Sequence, residues 1–320
     1  MSEATLVPTS QSLPATAPEL EDVRRYIASS IAPATLRAYR SGIANFRAWC
    51  DIEGCSALPA SSETVARYLA ALADDGKSVS TIQQRLAAIK RVHESKDLET
   101  PTAGKGVRAT MSGIRREVGV APTRKAPATA ERIAVMASHA SDSLKGKRDK
   151  ALLLFGFASA MRRSELVGLQ VDDLEDTDRG LLVTLRRSKT DQEGQGHQRA
   201  IPFGRRPETC PVKGLKDWLA ASGITEGPVF RSVDAHSNIG TGLSTRAVAT
   251  IVKHYAKRIG LDAKDFGGHS LRAGFVTSAS EAGASAERIM DHTGHKSVTM
   301  VRTYTRRVDA FKNHAGEGLL

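Results

Sequence analysis

The stretch ALLLFGFASAMRRSEL, residues 151–166, decides the fold of the second half of the chain. Its apolar part, Ala151–Met161, is the longest apolar run of the sequence, too short to cross a bilayer and typical of a helix inside a globular core. Two arginines follow at once, and buried charge beside apolar residues must be paired or bound to an ion. Arg162 and Arg163 therefore either pair with Glu165 or face an anion.

The segments around this run predict a mixed α+β domain at residues 129–307. One helix is expected from Thr129 to about Ala140, and the buried helix from about Gly146 to Ala160. GLLVTLR at 180–186 alternates as a strand does, and a polar loop at 191–198 separates it from a second short strand at 199–203. Beyond Pro211 the pattern is helical, with one short strand at Pro228–Ser232. The domain is thus expected to be mainly α with a small antiparallel sheet.

The first part of the chain predicts a helical bundle at residues 19–118, after a disordered tail at 1–18. A short helix is expected at 19–31, and later helices are expected to begin at caps Ser61 or Ser62 and Ser80. A linker rich in proline and basic residues, GVAPTRKAPA, is expected at 119–128. The bundle rests on apolar stripes at helical spacing: Leu36, Tyr39, Ile43, Phe46 and Trp49; Val65, Leu69 and Leu72; Ile82, Leu86, Ile89 and His93; Val107, Met111, Ile114 and Val118.

Charge and cysteine content narrow the partners and the compartment. Lys and Arg total 46 against 35 Asp and Glu, a net charge of +11 with a pI near 9.7. Residues 85–125 alone hold 10 basic and 4 acidic side chains. Such a balance favours a polyanion, nucleic acid first and an anionic membrane surface second. Three cysteines without a CxxC pair, and no basic signal sequence at the N-terminus, predict a reducing, cytoplasmic location with neither disulfides nor a zinc site.

Four clusters in the second domain carry residues suited to chemistry. One is Arg162 with Glu165, and another is Lys189 at the tip of the strand hairpin. His269 and Arg272 share one helix face after Gly267-Gly268, a pair of glycines that permits close approach at a phosphate-binding helix start. The last cluster runs from Asp291 through His295 to Tyr304.

Two hypotheses of a metal site have less support in the sequence than a site formed by these four clusters. His292 and His295 lack further zinc ligands at sensible spacing. The acidic run Asp172–Asp178 could suggest a magnesium-dependent nuclease, but adjacent carboxylates before a hairpin are usually a polar turn.

In order and spacing, the clusters resemble the tyrosine recombinase (phage integrase) family over residues 127–307. The segments 47–50 and 80–84 extend the resemblance into the first bundle, which would then be a SAM-like core-binding domain, and segment 243–247 supports it in the second domain. The resemblance implies six catalytic residues, namely Arg162, Lys189, His269, Arg272, His295 and Tyr304.

The resemblance also implies a reaction, the transesterification of a DNA phosphodiester with a 3′-phosphotyrosine intermediate. Tyr304 would attack phosphorus, with His269 or a nearby neutral group taking its proton and Lys189 protonating the leaving 5′-oxygen. Arg162 and Arg272 would bind the non-bridging oxygens, and His295 would add a hydrogen bond there. Glu165 would orient part of the site by supporting the residues that bind the phosphate. Neither a metal nor ATP is expected.

Recognition would be shared between the domains, with Thr35, Arg37 and Gln84 in the major groove and Arg246 reading guanine from the second domain. The expected partners are double-stranded DNA with an inverted-repeat site at the nucleoid, and three further copies in a tetramer that works through a Holliday junction, but no membrane. Residues 308–320 would dock on the next copy. A type IB topoisomerase, a hairpin telomere resolvase and a DNA-binding protein without catalysis remain alternatives.

Overall fold

A computed structural model describes residues 30–120, 125–186, 196–299 and 301–302. The chain divides between residues 122 and 123 into two compact units. The predicted tail at 1–18, nearly all of the predicted helix at 19–31 and the C-terminal segment 308–320 lie outside the described residues.

The first unit is a helical bundle around one apolar core. The stripes predicted from the sequence are its buried faces, and Phe46, Leu69 and Ile89 are almost completely buried. Within the described residues, its helices are α1 (Pro33–Glu53), α2 (Ser62–Asp74), α3 (Val79–Glu94) and α4 (Lys105–Glu117), with a 3₁₀ turn at Pro101–Ala103.

Two details of the bundle differ from the sequence prediction. The cap of α3 is Ser78 and not Ser80, because the Ser78 hydroxyl accepts the Thr81 N–H at 3.3 Å and the helix starts directly after it. Val118, predicted to belong to the buried stripe, is the C-cap of α4 and is 44% exposed. Ser61 caps α2 as expected, accepting the Thr64 N–H at 3.0 Å.

The second unit combines helices with a small sheet, as predicted. The strands form an antiparallel sheet in the order β1-β2-β3, with Val183 of the central strand between Leu174 and Arg199. Its elements are α5 (Ala130–Ser138), α6 (Leu144–Ala158), α7 (Arg163–Gly168), β1 (Leu174–Thr177), β2 (Gly180–Leu185), β3 (His197–Pro202), α8 (Pro211–Ser222), α9 (Thr245–Arg258), α10 (His269–Glu281) and α11 (Ala286–Thr293), with 3₁₀ turns at Val171–Asp173, Pro207–Thr209 and Ala263–Asp265.

Helix α6 is the central element of this unit. It packs against α5, α8 and α10, and residues Ala151–Phe155 are buried on every side. A helix that is apolar all round is stable only where neighbours cover its whole surface. The buried helix predicted from the opening stretch is confirmed, although it begins and ends two residues earlier than expected.

Three other segments differ from the sequence prediction. The acidic run expected to be a turn contributes strand β1, which pairs with β2. The strand expected at Pro228–Ser232 is absent among the described residues; isolated bridges join Gln170 to Pro228 and Val233 to Ile239 instead. Residues 126–128 of the expected linker are bound to the second unit, with the Ala126 and Ala128 amides donating to Asp265 and Ser270.

Within the described ranges, no helix is long and apolar enough to cross a bilayer.

Candidate active site

The candidate site is built on the turn that follows α6. Ser159 ends the helix, and Ala160 adopts a left-handed conformation with φ of 48°. That conformation is unfavourable for a residue with a side chain, by about 1–2 kcal/mol. It redirects the chain so that Arg162 becomes the cap of α7. The structure therefore holds Arg162 close to the end of α6.

Three consecutive carbonyl groups of this turn accept hydrogen bonds from three different elements. His292 Nε2 donates to Ala158 O at 2.8 Å, Arg199 Nη1 to Ser159 O at 2.8 Å, and Arg272 Nη1 to Ala160 O at 2.8 Å. The C-terminal end of a helix carries a partial negative charge, which stabilises cations there. The end of α6 thus gathers α10, α11 and β3 at one point.

Glu165 fixes Arg162 through two contacts. One carboxylate oxygen accepts the Arg162 backbone N–H at 2.9 Å, and the other accepts Arg162 Nη1 at 2.6 Å. The Glu165 side chain is only 2% exposed, whereas that of Arg162 is 15% exposed. The carboxylate therefore holds the guanidinium in place while leaving part of it accessible. Of the two roles that the sequence left open for Arg162, pairing is observed, and it is compatible with anion binding.

The HxxR pair lies in the first turn of α10, as predicted. His269 is the first helical residue and is exposed, whereas Arg272 is 5% exposed and points back to the end of α6. A side chain at Gly268 would overlap that of Arg163, so this glycine permits the close approach of α7 and α10. Gly267 has no such contact, since its nearest neighbour would be Lys125 at 3.9 Å.

His295 is buried beside the same arginines. Its side chain is 7% exposed, and its Nδ1 lies 2.6 Å from the hydroxyl of Thr293. Burial, followed by the charges of Arg272, Arg162 and Arg199, lowers the pKa of His295 from 6.5 to about 4. The imidazole is therefore neutral near pH 7.

The charges of this cluster suit a bound anion. Arg162, Arg199 and Arg272 bring three positive charges to a site in which Glu165 supplies one negative charge. Burial also lowers the pKa of Arg199, because desolvation disfavours its charged form. An anion such as a phosphodiester would relieve that imbalance.

The lowered pKa of His295 predicts a loss of stability in acid. The unfolded chain takes up a proton on this residue below about pH 6.5, whereas the folded protein does so only below about pH 4. The unfolded state therefore binds more protons in this window, and the free energy of unfolding should fall by about 3 kcal/mol as the pH drops through it. Urea denaturation between pH 7 and pH 4 measures this change. His295→Gln should show a shallower pH dependence, and equal slopes would contradict the lowered pKa.

Two of the six predicted catalytic residues, Lys189 and Tyr304, lie outside the described residues. The structure brings Arg162, Arg272 and His295 together and places His269 one helical turn before Arg272.

The four predicted base-reading residues are exposed near the starts of helices. Thr35 and Arg37 lie in the first turns of α1, Gln84 lies in α3, and Arg246 lies in the first turn of α9. Each is therefore accessible to a large ligand.

Neither metal hypothesis finds support in the described ranges. His292 stacks on Phe275 with ring centroids 4.5 Å apart, and its Nε2 is bonded to a carbonyl. Asp173 pairs with Arg186 at 2.6 Å and Asp176 with Lys216 at 2.5 Å, so the acidic run makes structural contacts. No group of three or more His, Cys, Asp or Glu residues is placed there to hold an ion.

Arg199 and Thr293 are not among the site residues predicted from the sequence. Arg199 joins two elements, because it bonds Ser159 O after α6 and Thr293 O at the end of α11 at 2.8 and 2.9 Å. The sequence did contain a signal for Arg199. Side chains alternate along β3, so Arg199 lies on the same buried face as Ile201, and a charged residue is unusual on such a face. Thr293 gave no comparable signal.

Comparison with family models identifies the class of protein. The model described as the phage integrase family matches residues 128–310, and that of its N-terminal SAM-like domain matches residues 24–97. The first match covers more than half of the chain. The chain therefore belongs to the phage integrase family, the tyrosine-type site-specific recombinases.

Individual relatives agree with this assignment. The chain is 41% identical to an integrase/recombinase xerD homolog of Selenomonas ruminantium over 91% of its own length and 87% of the relative's. It is 28% identical to the Cre recombinase of Escherichia phage P1 over 83% of its own length and 82% of the relative's. The fold matches that of XerH site-specific recombinase, solved with a palindromic difH substrate, with a TM-score of 0.64 at 16% identity over 93% and 84% of the chains.

Proposed function

We propose that this chain cleaves and rejoins double-stranded DNA at a specific inverted-repeat site, with Tyr304 as the nucleophile. The observation that carries the proposal is the buried cluster of Arg162, Arg199 and Arg272 at the end of α6, with one carboxylate among them. In a member of this family, the anion that such a cluster would hold is the scissile phosphodiester.

The proposed step exchanges one phosphate ester for another. The Tyr304 oxygen forms a bond to phosphorus while the bond from phosphorus to the 5′-oxygen breaks, which leaves a 3′-phosphotyrosine and a free 5′-hydroxyl. His269, or a neutral group near it, takes the phenol proton, and Lys189 gives a proton to the 5′-oxygen. Protons and bonds balance without a further reactant, and the phosphotyrosine keeps the energy needed to rejoin the strands.

The arginines stabilise charge as it develops. The non-bridging oxygens gain negative charge when phosphorus becomes five-coordinate, and preorganised donors stabilise that charge most when they are already fixed. Arg162 is held by Glu165 and Arg272 by the Ala160 carbonyl. His295 lies beside both and contacts the same phosphate.

Specificity and assembly complete the proposal. Thr35, Arg37, Gln84 and Arg246 are exposed and contact bases or backbone from the two units. Four copies hold two sites and exchange strands through a Holliday junction, with residues 308–320 docked on the neighbouring copy. The division into a core-binding domain at 19–118, a linker at 119–128 and a catalytic domain at 129–307 serves this arrangement.

A suicide substrate tests the proposal. The full chain first selects its site from random-sequence duplex DNA. That site is then made with a nick beside the cleavage position, so that the short released strand diffuses away and cannot be rejoined. We expect a protein–DNA adduct that survives denaturation, and peptide mapping should place the DNA on Tyr304. No adduct on any site that the protein binds specifically would refute the enzymatic reaction and leave a DNA-binding protein.

A further inference from the structure

Thr293 is the last residue of α11 and lies directly between the backbone and His295. Its side chain is completely buried, and its hydroxyl oxygen is 2.6 Å from two atoms, the Ile289 carbonyl oxygen and His295 Nδ1. Both distances are short for hydrogen bonds. The hydroxyl is therefore engaged on both sides.

The proton inventory of these two contacts assigns the histidine. A hydroxyl has one proton to donate, and a carbonyl oxygen can only accept. The Thr293 proton must therefore lie on the contact with Ile289 O, because two oxygens 2.6 Å apart without a proton between them would repel. The remaining contact then requires a proton on Nδ1 of His295, which donates to Thr293 Oγ1.

We propose that Thr293 is a positioning residue that holds His295 in the Nδ1–H tautomer, so that Nε2 carries a lone pair. In this tautomer the neutral ring offers the site an acceptor. It can donate Nε2–H to a phosphate oxygen only after it has gained a second proton. This last step rests on the proposed function, whereas the tautomer itself does not.

The charged surroundings favour the same tautomer. The charged groups beside His295 in the described part of the chain include Arg162 from α7, Arg199 from β3 and Arg272 from α10, and the Glu165 carboxylate is paired with Arg162. A lone pair directed toward guanidinium groups is attracted to them, whereas an N–H would be repelled. These arginines also lower the pKa of His295. A bound phosphodiester offsets their charge, so binding of the DNA and uptake of a proton by His295 assist each other.

Nitrogen NMR of the free protein measures the tautomer. Full-length protein with ¹⁵N-labelled histidine is compared with Thr293→Val, which replaces the hydroxyl by a methyl group, and Thr293→Ser, which retains it. Loss of a signal set in His295→Gln assigns the ring. We expect a protonated Nδ1 and an unprotonated Nε2 in the wild type and in Thr293→Ser, and a shift of both resonances toward the Nε2–H form in Thr293→Val. A wild type already in the Nε2–H form, or a Thr293→Val protein with unchanged shifts, would overturn the assignment.

The pH profile of cleavage tests the consequence. With the suicide substrate, the rate of adduct formation in the wild type should fall on the alkaline side as His295 loses its second proton. Thr293→Val should lose this fall, because its neutral ring can already donate Nε2–H, and Thr293→Ser should restore it. Three identical profiles would refute the role in the reaction. The NMR result needs no cleavage, so it decides the tautomer even if the proposed function fails.

Discussion

Replacing Tyr304 by phenylalanine should abolish the covalent DNA adduct and all strand exchange while retaining site-specific DNA binding. The substitution removes only the oxygen that would bond to phosphorus, so no later step can proceed. The arginine cluster and the exposed residues at the starts of α1, α3 and α9 are unaffected. Denaturing gels of suicide-substrate reactions measure the adduct, and mobility shifts on the same DNA measure binding.

The other tyrosines explain why Tyr304 is the expected nucleophile. The chain has five tyrosines. Tyr68 and Tyr255 are buried, and burial, the largest cause in each case, raises the pKa of both phenols to about 12. Tyr39 packs against the core of the first unit. A phenol that must reach DNA and lose its proton cannot occupy such positions.

Two matched variants make the Tyr304 experiment decisive. Tyr255→Phe removes the same atom from a tyrosine of the same unit, one whose hydroxyl donates to Asp149 at 3.3 Å. It should lose some stability and still form the adduct. Tyr26 lies outside residues 128–310, which the phage integrase family model matches, so Tyr26→Phe should cleave normally. If the adduct persists in Tyr304→Phe and disappears in another variant, the nucleophile is the tyrosine replaced in that variant and not Tyr304.

Much of the fold could be predicted because the burial of one helix face places apolar residues at a regular spacing in the sequence. The stripe through Ile43 and Phe46 and the apolar run of α6 both became core. Errors arose where tertiary pairing decided the outcome. The acidic run became strand β1 because its backbone pairs with β2. Its acidic side chains are exposed to solvent, so they do not prevent this pairing.

The candidate catalytic residues could be named from the sequence, but the contacts that hold the described ones in place could not be predicted. Arg162 and Arg272 could be recognised from their residue type and from their spacing along the sequence. Their geometry depends on backbone carbonyl groups after α6 and on the left-handed conformation of Ala160. Because every residue has a backbone carbonyl group, the sequence does not reveal which of them will accept these hydrogen bonds. The contact between Arg199 and Thr293 joins β3 to α11 across 94 residues. Such contacts leave no local pattern.

Arg272→Lys should slow cleavage by about a thousandfold with little effect on specific DNA binding. Lysine retains the charge but has no planar fork, so it cannot bond the Ala160 carbonyl and two phosphate oxygens together. Loss of one preorganised donor to a developing oxyanion reduces the rate by about 10²–10³. Here the substitution also removes the hydrogen bond between α10 and the turn after α6, so the upper end of that range is expected.

Single-turnover adduct formation by Arg272→Lys separates this effect from a general loss of folding. Arg258→Lys provides the control, because Arg258 is exposed in the last turn of α9 and should cleave as the wild type does. Thermal denaturation should show a moderate loss in Arg272→Lys, since a buried carbonyl without its donor costs about 1–3 kcal/mol. The binding energy of the DNA comes mainly from many phosphate contacts elsewhere, so affinity should change far less than rate. An Arg272→Lys protein that cleaves within about tenfold of the wild type would mean that its fork contributes no more than about 1.4 kcal/mol to the transition state, too little for a preorganised donor.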